Sequence, residues 1–379
     1  MLKQDCGCSR RGFLSAGVAA AAGIAHARRA GTEPAGSRAA SAARSGSAAA
    51  AADQALVAIT LDLEMSRNFP QWEDTHWDYE KGNLDDATKR YSVEAARRVK
   101  AAGGVVHFFC VGRVLEQDNV DWLKEIVAAG HPVGNHTYDH VFVKATKPED
   151  IQFRFQRSPW LLRGRPPAEV IADNIRMTTD AMQTRLGIAP AGFRTPGGFA
   201  NGIADRPDVQ RMLLEQEFTW VSSKYAAHAN SKPGEPPAPD VFDSIVKAQA
   251  DSQPFTYPSG LIEVPMSPIS DIGAFRGGRW KLEYFLKAIR QAVEWTIEHR
   301  AVFDFLAHPS CLGVIDPEFH TIDLICDLVR AAGDRAAIVD LGVIAAARHA
   351  RDTAALNCQR RDYFRFAPTA FCGGGSNGT

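Results

Sequence analysis

The feature that most constrains the fold is a regular alternation of short apolar runs with amphipathic helical segments along residues 55 to 341. The apolar runs are rich in β-branched and aromatic residues, as buried strands are. Strands that alternate with helices predict parallel strands joined by crossover helices. The candidate strands are ALVAITLDL (55–63), VVHFFCV (105–111), HPVGN (131–135), AGFRT (191–195), FTWVS (218–222), LIEVP (261–265), AVFDFLA (301–307) and AAIVDL (336–341).

Two of the intervening segments have a continuous apolar face at helical spacing. One covers residues 120–127 and the other residues 282–293, and both are interpreted as helices that face the core. Seven or eight strand–helix units in succession predict a (β/α) barrel within a single α/β domain. In such a barrel the functional groups lie at the C-terminal ends of the strands and on the loops that follow them.

The two ends of the chain differ in composition from the part between them. Residues 1–27 resemble a twin-arginine signal, since Arg10-Arg11 precedes an apolar run and Ala25-His26-Ala27. Residues 28–52 are low-complexity Ala, Ser, Gly and Arg, which predicts a disordered linker. We therefore expect export to the periplasm or beyond, a folded domain at 53–350, a tail at 351–379, and no stable membrane span after signal cleavage.

Charge and cysteine content exclude several classes of protein. The formal net charge is -1 and the basic residues are scattered, so we predict no nucleic-acid partner and no binding to an anionic membrane. The seven cysteines include no C-x-x-C pair, which argues against a disulfide framework or a cysteine zinc site and leaves a single bridge open. The oligomeric state is not specified by any of these features.

Polar residues with catalytic potential stand at the ends of four predicted strands. Two histidines four residues apart, with a carboxylate from another strand, form a three-ligand metal site with an open position for water. A second carboxylate can act as a base, an arginine can hold it ionised, and a histidine can protonate a departing amine. Taken singly, each cluster is also typical of solvated histidines, loop caps or ion pairs. The clusters are Asp62-Leu63-Glu64, His136 with His140, Arg194 with Thr195-Pro196-Gly197-Gly198, and His308-Pro309.

In combination these clusters resemble the motifs of the polysaccharide deacetylases of carbohydrate esterase family 4. The resemblance runs through most of residues 55 to 345 and keeps the family's order and spacing. It implies a metal-dependent enzyme with a distorted (β/α)7-type barrel that removes N- or O-acetyl groups. The matching stretches are TLDLE (60–64), FFCVG (108–112), GHPVGNHTYDH (130–140), GFRTPGGF (192–199) and FLAHP (305–309).

The resemblance also implies roles for individual residues and one divalent ion, zinc or else cobalt. Leu63 stands where the family usually has a second aspartate, so the third metal ligand is placed one residue later, as in related branches with an Asp-x-Glu motif. The implied metal ligands are Glu64, His136 and His140; the base is Asp62, its orienting partner Arg194 and the general acid His308; the oxyanion or substrate contacts are Pro196 and the backbone N–H of Phe199.

Three further residues are candidates for substrate contact. Trp77, in the loop 69–82, could stack on a sugar ring, and Arg157 and Trp160 lie in a segment, 154–167, that looks like an insertion over the site. Each could instead serve only to pack its own loop. The strand FTWVSS also lacks the Asp-x-x-Asp-Trp motif of many sugar deacetylases, and thus offers no carboxylate there to tune the final histidine.

The leading hypothesis is an exported deacetylase of N-acetylated glycans that uses metal-activated water. The alternative on the same barrel is a hydrolase of small cyclic amides, because His308 is followed by proline as in allantoinase-like relatives. A catalytically inactive carbohydrate-binding relative, suggested by the altered first motif, and a structural export protein with a chance cluster are the other readings. An open groove would favour glycans, and a lidded cavity would favour the cyclic amide.

Overall fold

The computed structural model describes residues 54–65 and 81–366, with side chains as far as residue 355. The predicted export signal and linker, Trp77 with most of its loop, and the end of the C-terminal tail lie outside the described residues. What was predicted for those segments therefore stays a prediction.

The described residues form one sheet of nine strands. Seven of them, all parallel, follow the order β7-β5-β4-β3-β2-β1-β8. The short β6 pairs antiparallel with β7, and β9 pairs with the start of β1. The strands are β1 (Ala55–Leu63), β2 (Val106–Cys110), β3 (Val133–Asn135), β4 (Phe193–Phe199), β5 (Trp220–Lys224), β6 (Phe255–Thr256), β7 (Ile262–Glu263), β8 (Val302–Ala307) and β9 (Ala336–Ile338).

The segment after β7 joins the two edges of the sheet. Met266 donates its backbone N–H to Lys224 at the end of β5 (2.9 Å), and Ser267 donates to Asp304 on β8 (3.0 Å). Both contacts are isolated parallel bridges and not long ladders. The sheet thus curls into a seven-stranded barrel with one weakly paired seam, which confirms the predicted distorted (β/α)7-type barrel.

Ten helices surround this sheet in the described part of the chain. They are α1 (Asp86–Ala101), α2 (Asp121–Ala128), α3 (Phe153–Arg157), α4 (Pro167–Leu186), α5 (Pro207–Glu215), α6 (Pro239–Ala248), α7 (Leu282–His299), α8 (Pro309–Ile315), α9 (His320–Ala332) and α10 (Leu341–Phe366). Shorter helical turns cover Gly112–Glu116, Pro148–Asp150, Pro159–Leu162, Ala250–Ser252, Ile272–Gly277 and Gly333–Arg335. No described helix is both long and apolar enough to cross a membrane.

Local sequence explains several helix boundaries. The side chain of Asp85 accepts a hydrogen bond from the backbone N–H of Thr88 (2.9 Å) and so caps the start of α1. Gly187 ends α4 in the left-handed conformation that glycine adopts readily. The two predicted apolar faces become α2 and α7. Helix α10 continues past residue 350, the predicted end of the domain, and its first turn packs Leu341 and Ile344 into the core.

The alternation of side chains along β1 determines which residues face the catalytic end of the barrel. Residues 57, 59, 61 and 63 pack outward in the core beneath the helices. Leu56 and Ala58 instead join a cluster drawn from β1, β2, β5, β7 and β8, which fills the barrel interior. Since side chains alternate with a period of two, Thr60, Asp62 and Glu64 continue this inward row toward the C-terminal end of the strand.

Candidate active site

The four clusters predicted at strand ends meet in one cavity at the C-terminal end of the barrel. The cavity has a volume of ≈ 440 Å³. Its polar side is formed by residues from β1, from the turn after β3 and from the residue after β8: Asp62, Glu64, His136, His140 and His308. Parallel strands bring their C-terminal ends to the same edge, which is why residues so distant in sequence come together.

Glu64, His136 and His140 form a candidate metal site. Their ligand atoms all lie within 4.8 Å of one another. Oε2 of Glu64 is 3.9 Å from Nε2 of His136 and 2.5 Å from Nε2 of His140. Leu63 points outward into the core, so the alternation along β1 explains why the carboxylate on this face is Glu64.

A short turn after β3, and not a helix, presents the two histidines. Asn135 accepts a hydrogen bond from the backbone N–H of Thr137 through its side-chain oxygen (2.9 Å), and the Thr137 hydroxyl accepts one from the backbone N–H of Val141 (3.0 Å). Thr137 and His140 both have positive φ angles. These contacts support a backbone path that folds His140 back toward His136.

The chemistry of these donors fits a divalent metal ion. Nδ1 of His136 donates to the carbonyl oxygen of Arg194 (2.9 Å), which leaves a lone pair on Nε2, the atom that faces Glu64. Burial, together with the neighbouring His140, holds the pKa of His136 well below its usual value, so its imidazole is neutral as a ligand must be. Two imidazole nitrogens and one carboxylate oxygen are a typical set for zinc with an open position.

Arg194 joins two carboxylates beneath the cavity. Its side chain is fully buried, and its guanidinium contacts Asp62 (3.2 Å), Asp304 (2.5 Å) and the hydroxyl of Thr60 (2.7 Å). The guanidinium also lies 4.4 Å from the centre of the Phe109 ring. Sequence reasoning missed Asp304, although an aspartate inside the apolar run AVFDFLA was the available signal.

Asp62 has the properties required of a general base. Burial raises the pKa of Asp62 to about 6, although Arg194 and His308 favour its ionised form. At neutral pH the carboxylate is ionised and can accept a proton. One of its oxygens lies 3.7 Å from Nε2 of His136, beside the candidate metal site.

His308 lies between two carboxylates. Its Nδ1 contacts Oδ1 of Asp271 (3.0 Å), its backbone N–H donates to Oδ2 of Asp271 (2.7 Å), and its Nε2 is 2.9 Å from Oε1 of Glu64. Burial opposes the charged imidazolium, but Asp271 and Glu64 outweigh it and raise the pKa of His308 to about 10. The strand FTWVSS provides no carboxylate to His308, and Asp271, in the segment after β7, provides one instead.

Comparison with known proteins agrees with this geometry. The polysaccharide deacetylase family model matches residues 83–208, which include His136, His140 and Arg194. This segment of the chain is similar to the polysaccharide deacetylase family. Asp62, Glu64 and His308 lie outside the matched segment, so their placement depends on the structure. No curated protein matches the chain in sequence.

Solved structures share the polysaccharide deacetylase fold with this chain. A protein from Mycobacterium smegmatis assigned to the polysaccharide deacetylases has a TM-score of 0.52 at 15% identity, over 79% of this chain and 92% of its own. A protein from Pseudomonas aeruginosa PAO1 with the same assignment has a TM-score of 0.52 at 12% identity, over 78% and 90%. An allantoinase has a TM-score of 0.50 at 13% identity, over 78% and 90%. Identities this low show a shared fold and carry no assignment of substrate.

The far wall of the cavity includes Tyr225 and His228, which sequence reasoning did not single out. Nδ1 of His228 donates to the carbonyl of Ala229 (2.8 Å), so Nε2 accepts the hydroxyl proton of Tyr225 (3.3 Å). The Tyr225 oxygen accepts from the backbone N–H of Ser270 (3.1 Å). These bonds fix the tyrosine ring as part of the wall.

Four predicted contact residues lie away from the cavity lining. Phe199 pairs with Lys224 in the sheet and Pro196 is buried in β4, whereas Gly197 and Gly198 between them line the cavity. Trp160 is 72% exposed, and the guanidinium of Arg157 lies over the ring of Phe153 at 5.1 Å. Among the described residues, neither Arg157 nor Trp160 lines the cavity.

Proposed function

We propose that this chain is a metal-dependent amide hydrolase that removes acetyl groups from N-acetylated glycans. The observation that supports it is the meeting in one cavity of a candidate metal site, a carboxylate base and a histidine acid. The base has its own orienting cation, Arg194, and the acid has its own carboxylate, Asp271. A simple binding site has no use for these two paired groups.

Each of the chain's own residues has a defined part in the proposed reaction. A divalent ion held by Glu64, His136 and His140 would polarise the amide carbonyl and make a water molecule more acidic. Asp62 takes the proton from the attacking water, and Arg194 keeps that carboxylate oriented. His308 gives its Nε2 proton to the departing amine nitrogen as the carbon–nitrogen bond breaks. The products are acetate and a free amine.

The cavity volume of ≈ 440 Å³ lies within the 300–1,000 Å³ range of small-ligand sites. It is therefore suited to one acetylated sugar residue or to a small amide.

The second candidate function is hydrolysis of a cyclic amide. The His308-Pro309 pair favours it, and an allantoinase has the same fold. The twin-arginine pattern in residues 1–27 favours the glycan, and we propose export by that route.

Metal content and activity, measured together, test the proposal. The purified protein is loaded with zinc or cobalt, and metal is measured by inductively coupled plasma mass spectrometry. We expect about one ion per chain in the wild type and none in His136→Ala or Glu64→Ala. His349→Ala, which changes an exposed histidine away from the cavity, is the matched control and should keep the metal.

Turnover is then measured on N-acetylated oligosaccharides and on small cyclic amides. Asp62→Asn should keep the metal and lose about 10²–10⁴-fold in kcat, the usual contribution of a general base. Release of acetate from the oligosaccharides supports the leading proposal, and activity confined to cyclic amides supports the second. A wild type that binds neither zinc nor cobalt rules out the metal-dependent mechanism.

A further inference from the structure

Lys81 is a buried lysine that contacts the carboxylate of the candidate metal site. Its side chain is 1% exposed, and its Nζ lies 2.5 Å from Oε2 of Glu64. This is the same oxygen that Nε2 of His140 approaches to 2.5 Å. Lys81 is not among the residues that line the cavity.

The backbone on either side of this contact is fixed. The N–H of Gly82 donates to the carbonyl oxygen of Glu64 (2.7 Å), which joins the two segments next to Lys81. The side chain of Gln117 donates to the carbonyl oxygens of Gly82 (3.4 Å) and Leu84 (3.1 Å). Lys81 is thus held beside Glu64 by its neighbours and not only by the ion pair.

A buried cation at this position affects the charge available to a metal ion. Among the residues that the structure describes, the buried ionisable groups around the cavity comprise four carboxylates and three cations, a formal charge of -1 when His308 is protonated. Adding a divalent ion gives +1, whereas the same site without Lys81 would reach zero. The carboxylates are Asp62, Glu64, Asp271 and Asp304, and the cations are Lys81, Arg194 and His308.

Lys81 has two effects on Glu64 that act in opposite directions. It orients the carboxylate, which favours metal binding, and it places a like charge next to the ion, which opposes binding. His308 holds Oε1 of Glu64, so the orienting effect is partly duplicated. His140 cannot add to it, because its Nε2 is itself a ligand of the ion. The repulsion is not duplicated, and at the effective dielectric of a protein interior it weakens binding by roughly tenfold or more.

We infer that Lys81 is a positioning residue that lowers the affinity of the Glu64–His136–His140 site for a divalent ion by competing with it for Oε2 of Glu64. This inference rests on the metal-dependent function proposed above. With Lys81 present, the bound ion exchanges more readily than it would from the same three ligands without Lys81.

The test measures the zinc affinity of metal-free protein by competition with a chromophoric zinc chelator. Lys81→Met, which keeps the length of the side chain and removes its charge, should bind zinc at least tenfold more tightly than the wild type. Lys81→Arg, which keeps the charge, should stay within about threefold of the wild type. Lys124→Met, which removes a lysine of an exposed ion pair on α2, should not change the affinity.

Equal or weaker zinc binding by Lys81→Met overturns the inference, because it would show that Lys81 only supports the carboxylate. Thermal unfolding of the metal-free proteins identifies a variant that does not fold, and Lys81→Gln then provides the same comparison. If the wild type binds zinc and the variants do not differ from it, the inference fails and the proposed function stands. If neither the wild type nor any variant binds zinc, both fail.

Discussion

Substitution of Asp271 by asparagine should weaken the acid catalyst at alkaline pH without disturbing the metal site. Asp271 uses one oxygen to accept the backbone N–H of His308 (2.7 Å) and the other to contact Nδ1 of His308 (3.0 Å). An asparagine side chain has only one acceptor oxygen. The backbone N–H of His308 can only donate, so it should keep the asparagine oxygen as its acceptor. The imidazole can change tautomer and present an unprotonated Nδ1, so the asparagine NH₂ should face Nδ1. The imidazolium then loses its stabilising partner.

The contact geometry gives the size of the effect. Two unit charges about 4 Å apart interact by about 4 kcal/mol at an effective dielectric of about 20. Each 1.36 kcal/mol corresponds to about one pKa unit, so Asp271→Asn should lower the pKa of His308 from about 10 by about three units. At pH 9 the imidazole is then mostly neutral, and kcat should fall by about 10²-fold. This value agrees with the 10²–10⁴-fold range of general acid–base catalysis. The assay is acetate release from an N-acetylated oligosaccharide at pH 9 and at saturating substrate by the zinc-loaded enzyme.

Metal content and a matched variant separate catalysis from folding. Asp271 contacts none of the metal-binding atoms, so Asp271→Asn should keep the wild-type zinc content. Asp316 is also a fully buried carboxylate, and it accepts the backbone N–H groups of His320 and Thr321 (2.9 and 2.7 Å) outside the cavity. Asp316→Asn should therefore lower stability and leave kcat unchanged. A kcat for Asp271→Asn within about threefold of the wild type at pH 9 would refute the role assigned to the carboxylate.

Three further expectations concern stability and the outer surface. Asp304→Ala leaves Arg194 short of one buried partner and should lower the free energy of unfolding by about 3–5 kcal/mol in urea denaturation; a loss below about 1 kcal/mol would contradict this. Burial lowers the pKa of His107 to about 3 from 6.5, so its contribution to stability is present above about pH 6.5 and is lost as the pH falls toward 3. Between pH 7 and 5 that loss is about 2 kcal/mol, and His107→Gln should show a correspondingly smaller loss in the same assay. Trp160→Ala should change neither stability by more than about 0.5 kcal/mol nor kcat/KM for an acetylated trisaccharide, whereas a tenfold lower kcat/KM would return Trp160 to the substrate contacts.

Most of the barrel was predictable from local sequence because each strand carries its own apolar run. The run at 55–63 matches β1 residue for residue, and the runs at 105–111 and 301–307 differ from β2 and β8 by one or two terminal residues. The run at 261–265 shortens to the two residues of β7, since the chain leaves β5 there to reach β8. The antiparallel β6 was missed because two residues carry no recognisable period.

The convergence of the candidate site was also predictable, since strand order and strand polarity are properties of the alternation itself. Asp62, His136, Arg194 and His308 each stand at or just beyond the end of a predicted parallel strand, and parallel strands end at one edge. The choice of Glu64 over Leu63 follows from the two-residue period of β1. Nothing in this step required knowledge of side-chain contacts.

The sequence by itself thus determined the barrel, the edge at which its polar residues collect and the side of β1 that carries the two carboxylates. Only the tertiary structure decided the partners of those residues: Asp271 for His308, Asp304 for Arg194 and Lys81 for Glu64. The physical reason is that a periodic pattern specifies which face a side chain points to, whereas an ion pair requires two particular atoms within a few ångströms. That distance is set by how loops and strands pack, and no local pattern encodes it.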